Sequence, residues 1–339
     1  MSGYRDYTID ISLKSPIVTP FQSDTIFGHI CWAISYLKWE AKDKLAEFLD
    51  FYDKEESIPP LLLSNGFPAG FLPKPIIPPI KQEVLEGIIK REDRIENSFK
   101  IKTIKKAKII AKDYFAQVQN EMITPQNLFK KMFNQYDALS KELKKVQSAI
   151  IQHNTVNRLG IGNTRLYSQE EYFYNNQEDG KFIIYLKTYY FSPNDLERIF
   201  HFISDQGFGR DKSTGKGYFE FKIKEGIDLP ESDSPNAFMS LSSFIPKDND
   251  PNSGYYQILL KYGKLGGHFA KGGAEVNANP FKKPLMMFSA GSTFYDYEYH
   301  KDKIYGQLLK DIHHNQKIRH YAYAFPIGIK LMPVAKEEI

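Results

Sequence analysis

The 339-residue sequence contains a single cysteine, Cys31. A lone thiol closes no intramolecular disulfide and builds no cysteine metal cluster, so a reducing compartment is expected. Long apolar runs are missing too. No stretch approaches the ~18 uninterrupted apolar residues of a membrane span. The first apolar alternation carries Arg5, Asp6 and Asp10, unlike the apolar core of a signal peptide. These absences predict a soluble, cytoplasmic chain with no membrane partner. Neither sign of charge dominates: 45 Lys and Arg stand against 41 Asp and Glu, a net +4. Enzymes and nucleic-acid binders share that balance, so the placement of the charges has to decide.

What is present is apolar content enough for two domains, 42% of residues, with 14% aromatic. Most of those rings belong in a core, although some could stack on bases. Tyr7, Ile9, Ile11 and Leu13 alternate with polar residues, the period of a half-buried strand ending near Pro16 or Pro20. Ser23 or Asp24 is the expected N-cap of a helix carrying Ile26, Phe27, Ile30, Ala33, Ile34 and Leu37 on one face. The proline-rich stretch 59–79 reads as extended chain and loops.

Residues 81–152 are charged and helix-compatible, and read as an insertion into the domain that the first strand begins. Within them Lys100, Lys102, Lys105, Lys106, Lys108 and Lys112 occur with no acidic residue between. Such a run is either a solvated face or a contact for RNA. Further on, Phe182 to Phe191 reads as a buried strand. Ser192 and Pro193 open a helix bearing Leu196, Ile199, Phe200 and Ile203, and Phe219, Phe221 and Ile223 alternate in a following strand. The two halves together give the βαβ–βαβ order of a ferredoxin-like domain. We therefore expect an α+β protein of two ferredoxin-like (RRM-like) domains. Residues 1–230 form the first, with the helical insertion at 81–152, and residues 235–339 form the second.

Three glycine-rich basic loops stand out. GFGRDKSTGKG combines Gly207, Gly209, Gly215 and Gly217 with Arg210, Lys212, Ser213, Thr214 and Lys216. Glycines admit close approach, and N–H groups, hydroxyls and cations are the partners that phosphate oxygens need. The run is no P-loop, because Gly217 follows Lys216 where Ser or Thr belongs. Nor is it a dinucleotide fingerprint, since Lys212 replaces the third glycine and the loop follows a helix. A second loop, KLGGHFAKGG, offers Lys264, His268 and Lys271. A third, NRLGIGNTRLY, offers Asn157, Arg158, Thr164 and Arg165.

SDTIFGHICWAI after a strand, GFGRDKSTGKGYF before one, HNTVNRLGIG, and GKLGG with NPFKKPLMMFSAGSTF together resemble the RAMP superfamily of CRISPR-associated proteins. Within it they resemble the fourth-subunit family of the type III-A (Csm) effector complex, over nearly the whole chain. The resemblance implies two ferredoxin-like domains and capping of the crRNA 5′ handle. It also implies contact with the large polymerase-like subunit and with a backbone RAMP subunit, and no cofactor. By it, Ser23, Asp24, Thr25, the Arg158 loop and the Gly207–Gly217 loop border the handle. The lysine run matches no part of the family pattern.

Some RAMP relatives cut RNA with a histidine, so His29 is the candidate base for an alternative, precursor-processing endoribonuclease. Its place between Phe27 and Ile30 favours a satisfied helix histidine instead. His313 and His314 are adjacent and point different ways, which disfavours a metal site with Asp311 and His320. The expectation is a non-catalytic binding module.

Overall fold

The computed structural model describes residues 3–40, 43–54, 58–90, 92–155, 165–174, 179–267, 269 and 279–333. The first strand, Arg5–Leu13, buries Tyr7, Ile9, Ile11 and Leu13 as its alternation requires. It pairs antiparallel with Lys181–Thr188 on one side, Ile9 opposite Ile184, and with Phe219–Glu225 on the other, Ile9 opposite Ile223. Leu61–Leu63 extends the sheet beyond Lys181–Thr188. Numbered along the chain, these four strands lie in the order second, third, first, fourth.

Two helices pack their apolar faces into the core of this half. Ser23–Tyr36 buries Ile26, Phe27, Ile30, Ala33 and Ile34. Its N-cap is Gln22, without a side-chain bond, rather than Ser23 or Asp24. The carboxylate of Asp24 is drawn to a lysine far along the chain. Pro193–Gln206 buries Leu196, Ile199, Phe200 and Ile203. It opens on a reciprocal capping box between Ser192 and Asp195, with Pro193 in its first turn, and stops at Gly207, whose φ of 78° few other residues adopt.

The charged segment folds into helices Gln82–Ile88, Asp93–Glu96, Ser98–Lys106, Lys112–Asn120, Pro125–Asn134 and Tyr136–Lys145. Helix ends at Lys145, earlier than the sequence suggests. Val146–Thr155 instead pairs with Arg165–Tyr174 in a long antiparallel hairpin, where its β-branched residues are better accommodated.

Beyond residue 230 a second sheet forms from Ala237–Ser240, Gly254–Tyr255, Thr293–Tyr295 and Pro326–Ile329. Numbered along the chain, these too lie second, third, first, fourth, all antiparallel. Among the described residues after Gln206 there is no α-helix, so this sheet has the strand order of the first without its helices. The hairpin of Gly306–Leu309 with His320–Tyr323 supplies buried Tyr321 and Tyr323 instead. The core runs without a break from the first strand into Tyr321, Phe325 and Ile329. Tyr321 stacks on Phe27 at 5.0 Å, and its hydroxyl accepts from the N–H of Leu63 at 2.8 Å.

Candidate nucleic-acid interface

The Gly207–Gly217 loop is anchored at both ends and open in the middle. Phe208 is buried against Phe21, ring centroids 4.5 Å apart, and against His29 at 4.6 Å. Its N–H donates to the carbonyl of Gly217, and the N–H of Gly217 to that of Pro16. Gly209 donates to Nε2 of His29 at 3.0 Å, and Arg210 to Oγ1 of Thr19 at 3.1 Å. Glycine is needed at both anchors. A Cβ on Gly217, at φ +70°, would lie 2.1 Å from the carbonyl oxygen of Phe208, and one on Gly209 2.6 Å from Cβ of Thr19.

Between the anchors, Asp211 adopts a left-handed conformation and Lys212–Thr214 make one 3₁₀ turn closing on Gly215. Arg210, Lys212, Ser213 and Thr214 are exposed. The N–H groups of Asp211, Lys212, Ser213 and Lys216 find no acceptor among the described residues. Unpaired backbone donors in a tight turn beside cations are the groups from which anion sites are built. Although Lys212 is exposed overall, partial desolvation of its ammonium pulls it below its usual pKa.

Lys216 is placed differently from its neighbours. Its ammonium pairs with the buried carboxylate of Glu171, whose other oxygen lies 3.2 Å from Nε2 of His153. Gln169 donates to the Asp211 carboxylate at 2.6 Å. The loop is thus fastened to the long hairpin, and the Arg210 guanidinium lies 5.9 Å from the Tyr167 ring on that hairpin.

His29 is a loop support. Burial, reinforced by the nearby Lys212 ammonium, lowers its pKa to about 3, so the imidazole is neutral near pH 7 and Nε2 serves as acceptor for Gly209.

The start of the first helix is bound elsewhere. Ser23 is fully buried and its N–H donates to Oδ1 of Asn65 at 2.9 Å. Asp24 is bound through both carboxylate oxygens by Lys261, at 3.0 and 2.8 Å. Lys282 and His320 complete this buried group. The Lys282 ammonium donates to the carbonyl of Arg319 at 2.9 Å. Burial lowers Lys282 to about 8, partly opposed by Asp24, and lowers His320 to about 3. Burial also pushes the neighbouring Cys31 thiol up to about 12. Asp24 therefore fastens the first helix to the hairpin Ile258–Lys261 with Leu285–Phe288, and Thr25 alone of the three helix-start residues keeps a partly exposed, uncommitted side chain.

Of the second loop, Lys264 is exposed, with its ammonium 5.8 Å from the Phe281 ring. The adjoining glycines lie on Trp32: Cβ atoms on Gly266 and Gly267 would stand 3.1 and 2.8 Å from the indole. Their smallness serves this packing against the first helix. His268 and Lys271 lie outside the described residues, as do Asn157, Arg158, Thr164 and the side chain of Arg165.

Sequence reasoning missed Thr19, Gln169 and Glu171 as supports of the loop, and Lys261 as the partner of Asp24. Glu171 carries a weak signal, a carboxylate in a strand otherwise rich in aromatic residues. Lys261 carries none, because its partner is 237 residues away.

No protein-family model matches the sequence, and no curated protein matches it. Solved structures do. A chain of a Csm1–Csm4 cassette crystallised with AMPPNP superposes with a TM-score of 0.54 at 16% identity, over 97% of this chain and 100% of that one. A chain of the same kind of cassette with cA4 gives 0.53 at 16% identity, with the same coverage. At such identity the likeness is one of fold: the chain shares the mixed α/β architecture of these cassette chains.

Proposed function

We propose that this chain is a non-catalytic RNA-binding subunit of a type III CRISPR effector complex, of the type III-A (Csm) kind. In this reading it caps the 5′ handle of crRNA, docks the large polymerase-like subunit and adjoins a backbone RAMP subunit. The observation that carries the reading is the Gly207–Gly217 loop. Its ends are pinned by Pro16, Thr19 and His29, while Arg210, Lys212, Ser213 and Thr214 and a group of open N–H donors are presented outward. A rigid turn of donors and cations suits a sugar-phosphate backbone gripped without base readout. The shared strand order of the two sheets supports taking each as a ferredoxin-like unit, the second reduced to its strands. The pairing of Csm4 with Csm1 in the solved cassettes supports a large-subunit partner here.

The alternative, precursor cleavage by His29, is disfavoured by geometry. A general base needs a free nitrogen within reach of the attacking hydroxyl. Nε2 of His29 is occupied by the Gly209 N–H, and its low pKa makes it a poor proton carrier near neutrality.

Binding of a handle-bearing guide RNA, measured against salt for the wild type and for R210A/K212A, tests the proposal. The variant is expected to bind more weakly and to lose roughly 0.7 log units of salt slope per lost phosphate contact. Unchanged affinity and slope remove the loop from the interface. Specific cleavage of precursor RNA that vanishes in H29A establishes the ribonuclease instead.

A further inference from the structure

The lysine run at 100–112 is resolved by the structure into separate tasks. Lys100 lies over the ring of Phe133 at 4.0 Å, and Lys112 pairs with Asp228. Lys102, Lys105 and Lys106 do neither. They stand at i, i+3 and i+4 in the helix Ser98–Lys106 and so share one face. That face lines an open cleft of about 450 Å³ with Arg94, whose volume lies in the range of small-ligand sites.

Arg94 is the unusual member. Nη1 donates to Oε1 of Glu86 at 2.9 Å, whereas Nε and Nη2 are shielded from solvent with no partner among the described residues. A shielded unpaired donor is costly. The guanidinium lends the cleft positive charge, while the donors open to a ligand are the three exposed lysine ammoniums. Leu85 and Ile101 give the cleft an apolar floor, and the Glu86 carboxylate beside it is held by Arg94 and Gln82.

We propose that this cleft is a phosphate-binding site separate from the glycine loop. The exposed ammoniums of Lys102, Lys105 and Lys106 hold the phosphoryl group, the Arg94 guanidinium adds its positive charge at the cleft wall, and Leu85 and Ile101 receive the apolar face of a sugar or base. The ligand class is a nucleotide-sized phosphate, either free or as one unit of an RNA strand.

Calorimetric titration of the full chain with pyrophosphate, ATP and a short unstructured oligoribonucleotide tests this. Each titration is repeated in the R210Q/K212Q background, so that failure of the glycine-loop reading and failure of this one are told apart. Saturable binding in that background is expected. The K102Q/K105Q/K106Q variant should weaken it roughly tenfold or more, as expected for lost charge-assisted hydrogen bonds. ATP binding more tightly than pyrophosphate identifies a free nucleotide, and displacement of ATP by the oligoribonucleotide identifies a strand unit. Equal affinity for pyrophosphate and ATP leaves the phosphoryl group as the recognised element. R94Q should behave as the triple variant does. Should R94Q misfold, the triple variant still decides, because its three lysines are exposed. The proposal is overturned if none of the three ligands saturates the folded chain, or if the triple variant, with an unchanged circular dichroism spectrum, binds as the wild type does.

Discussion

The backbone N–H of Gly209 donates to Nε2 of His29 across 3.0 Å, and the His29 ring stacks on Phe208 next to it. One imidazole thus orders both the backbone and the buried aromatic anchor of the loop. In H29A the Gly209 N–H loses its acceptor and Phe208 loses its stacking partner. A loss of about 1–3 kcal/mol in urea-unfolding stability is expected, with weaker guide RNA binding and no loss of any cleavage.

Acid should destabilise the fold through His29 and His320. The folded pKa of His29 and of His320 is about 3, against an unfolded value of about 6.5. The unfolded chain therefore binds protons first as pH falls. Their neutral-state stabilisation is complete above about pH 6.5 and is lost progressively toward about pH 3. Urea unfolding followed from pH 7 to pH 4 should show this decline, and H320N should make it shallower. An equal slope in the variant would remove His320 from the effect.

Lys216 and Lys212 are neighbours in the loop with opposite expected phenotypes. Lys216 neutralises the buried Glu171 carboxylate, whereas Lys212 is exposed. K216A should lower stability by about 3 kcal/mol by leaving that buried carboxylate with only the His153 imidazole beside it, and K216M/E171Q should recover much of it. K212A should leave thermal unfolding nearly unchanged and weaken RNA binding.

Glycine is required at Gly217 and merely favoured at Gly215. Both have positive φ, but a Cβ at 215 meets open space and one at 217 meets the Phe208 carbonyl. G215A should cost roughly 1–2 kcal/mol, the penalty for a left-handed residue with a side chain. G217A should cost more and displace the loop, read as a larger drop in melting temperature and in RNA affinity.

Asp24 is expected to act through stability. D24A strips Lys261 of its carboxylate in a buried setting, and a loss of about 3 kcal/mol is expected. D24L/K261M should regain it. If D24A instead bound RNA poorly at full stability, Asp24 would belong to the interface.

The first strand, the two amphipathic helices and the glycine loop were legible because each is set by neighbours a few residues apart. Tyr7, Ile9, Ile11 and Leu13 bury one strand face, and Ser192, Pro193 and Gly207 delimit a helix. Residues 146–152 belong by sequence to the charged, helix-compatible insertion, and only pairing with Arg165–Tyr174 makes Val146–Thr155 a strand. The second half was read as α+β from strand-like runs alone, and no α-helix occurs there among its described residues.

Local order along the chain thus determined the elements of the first sheet and the presence of an exposed glycine-rich cationic loop, since periodicity, caps and backbone freedom are properties of adjacent residues. Which charges stay available was decided by the fold. Lys216 and Asp24 look as free as Lys212 in the sequence, but Glu171 and Lys261 meet them only after chain folding has brought distant strands together, and desolvation there binds each charge to its partner.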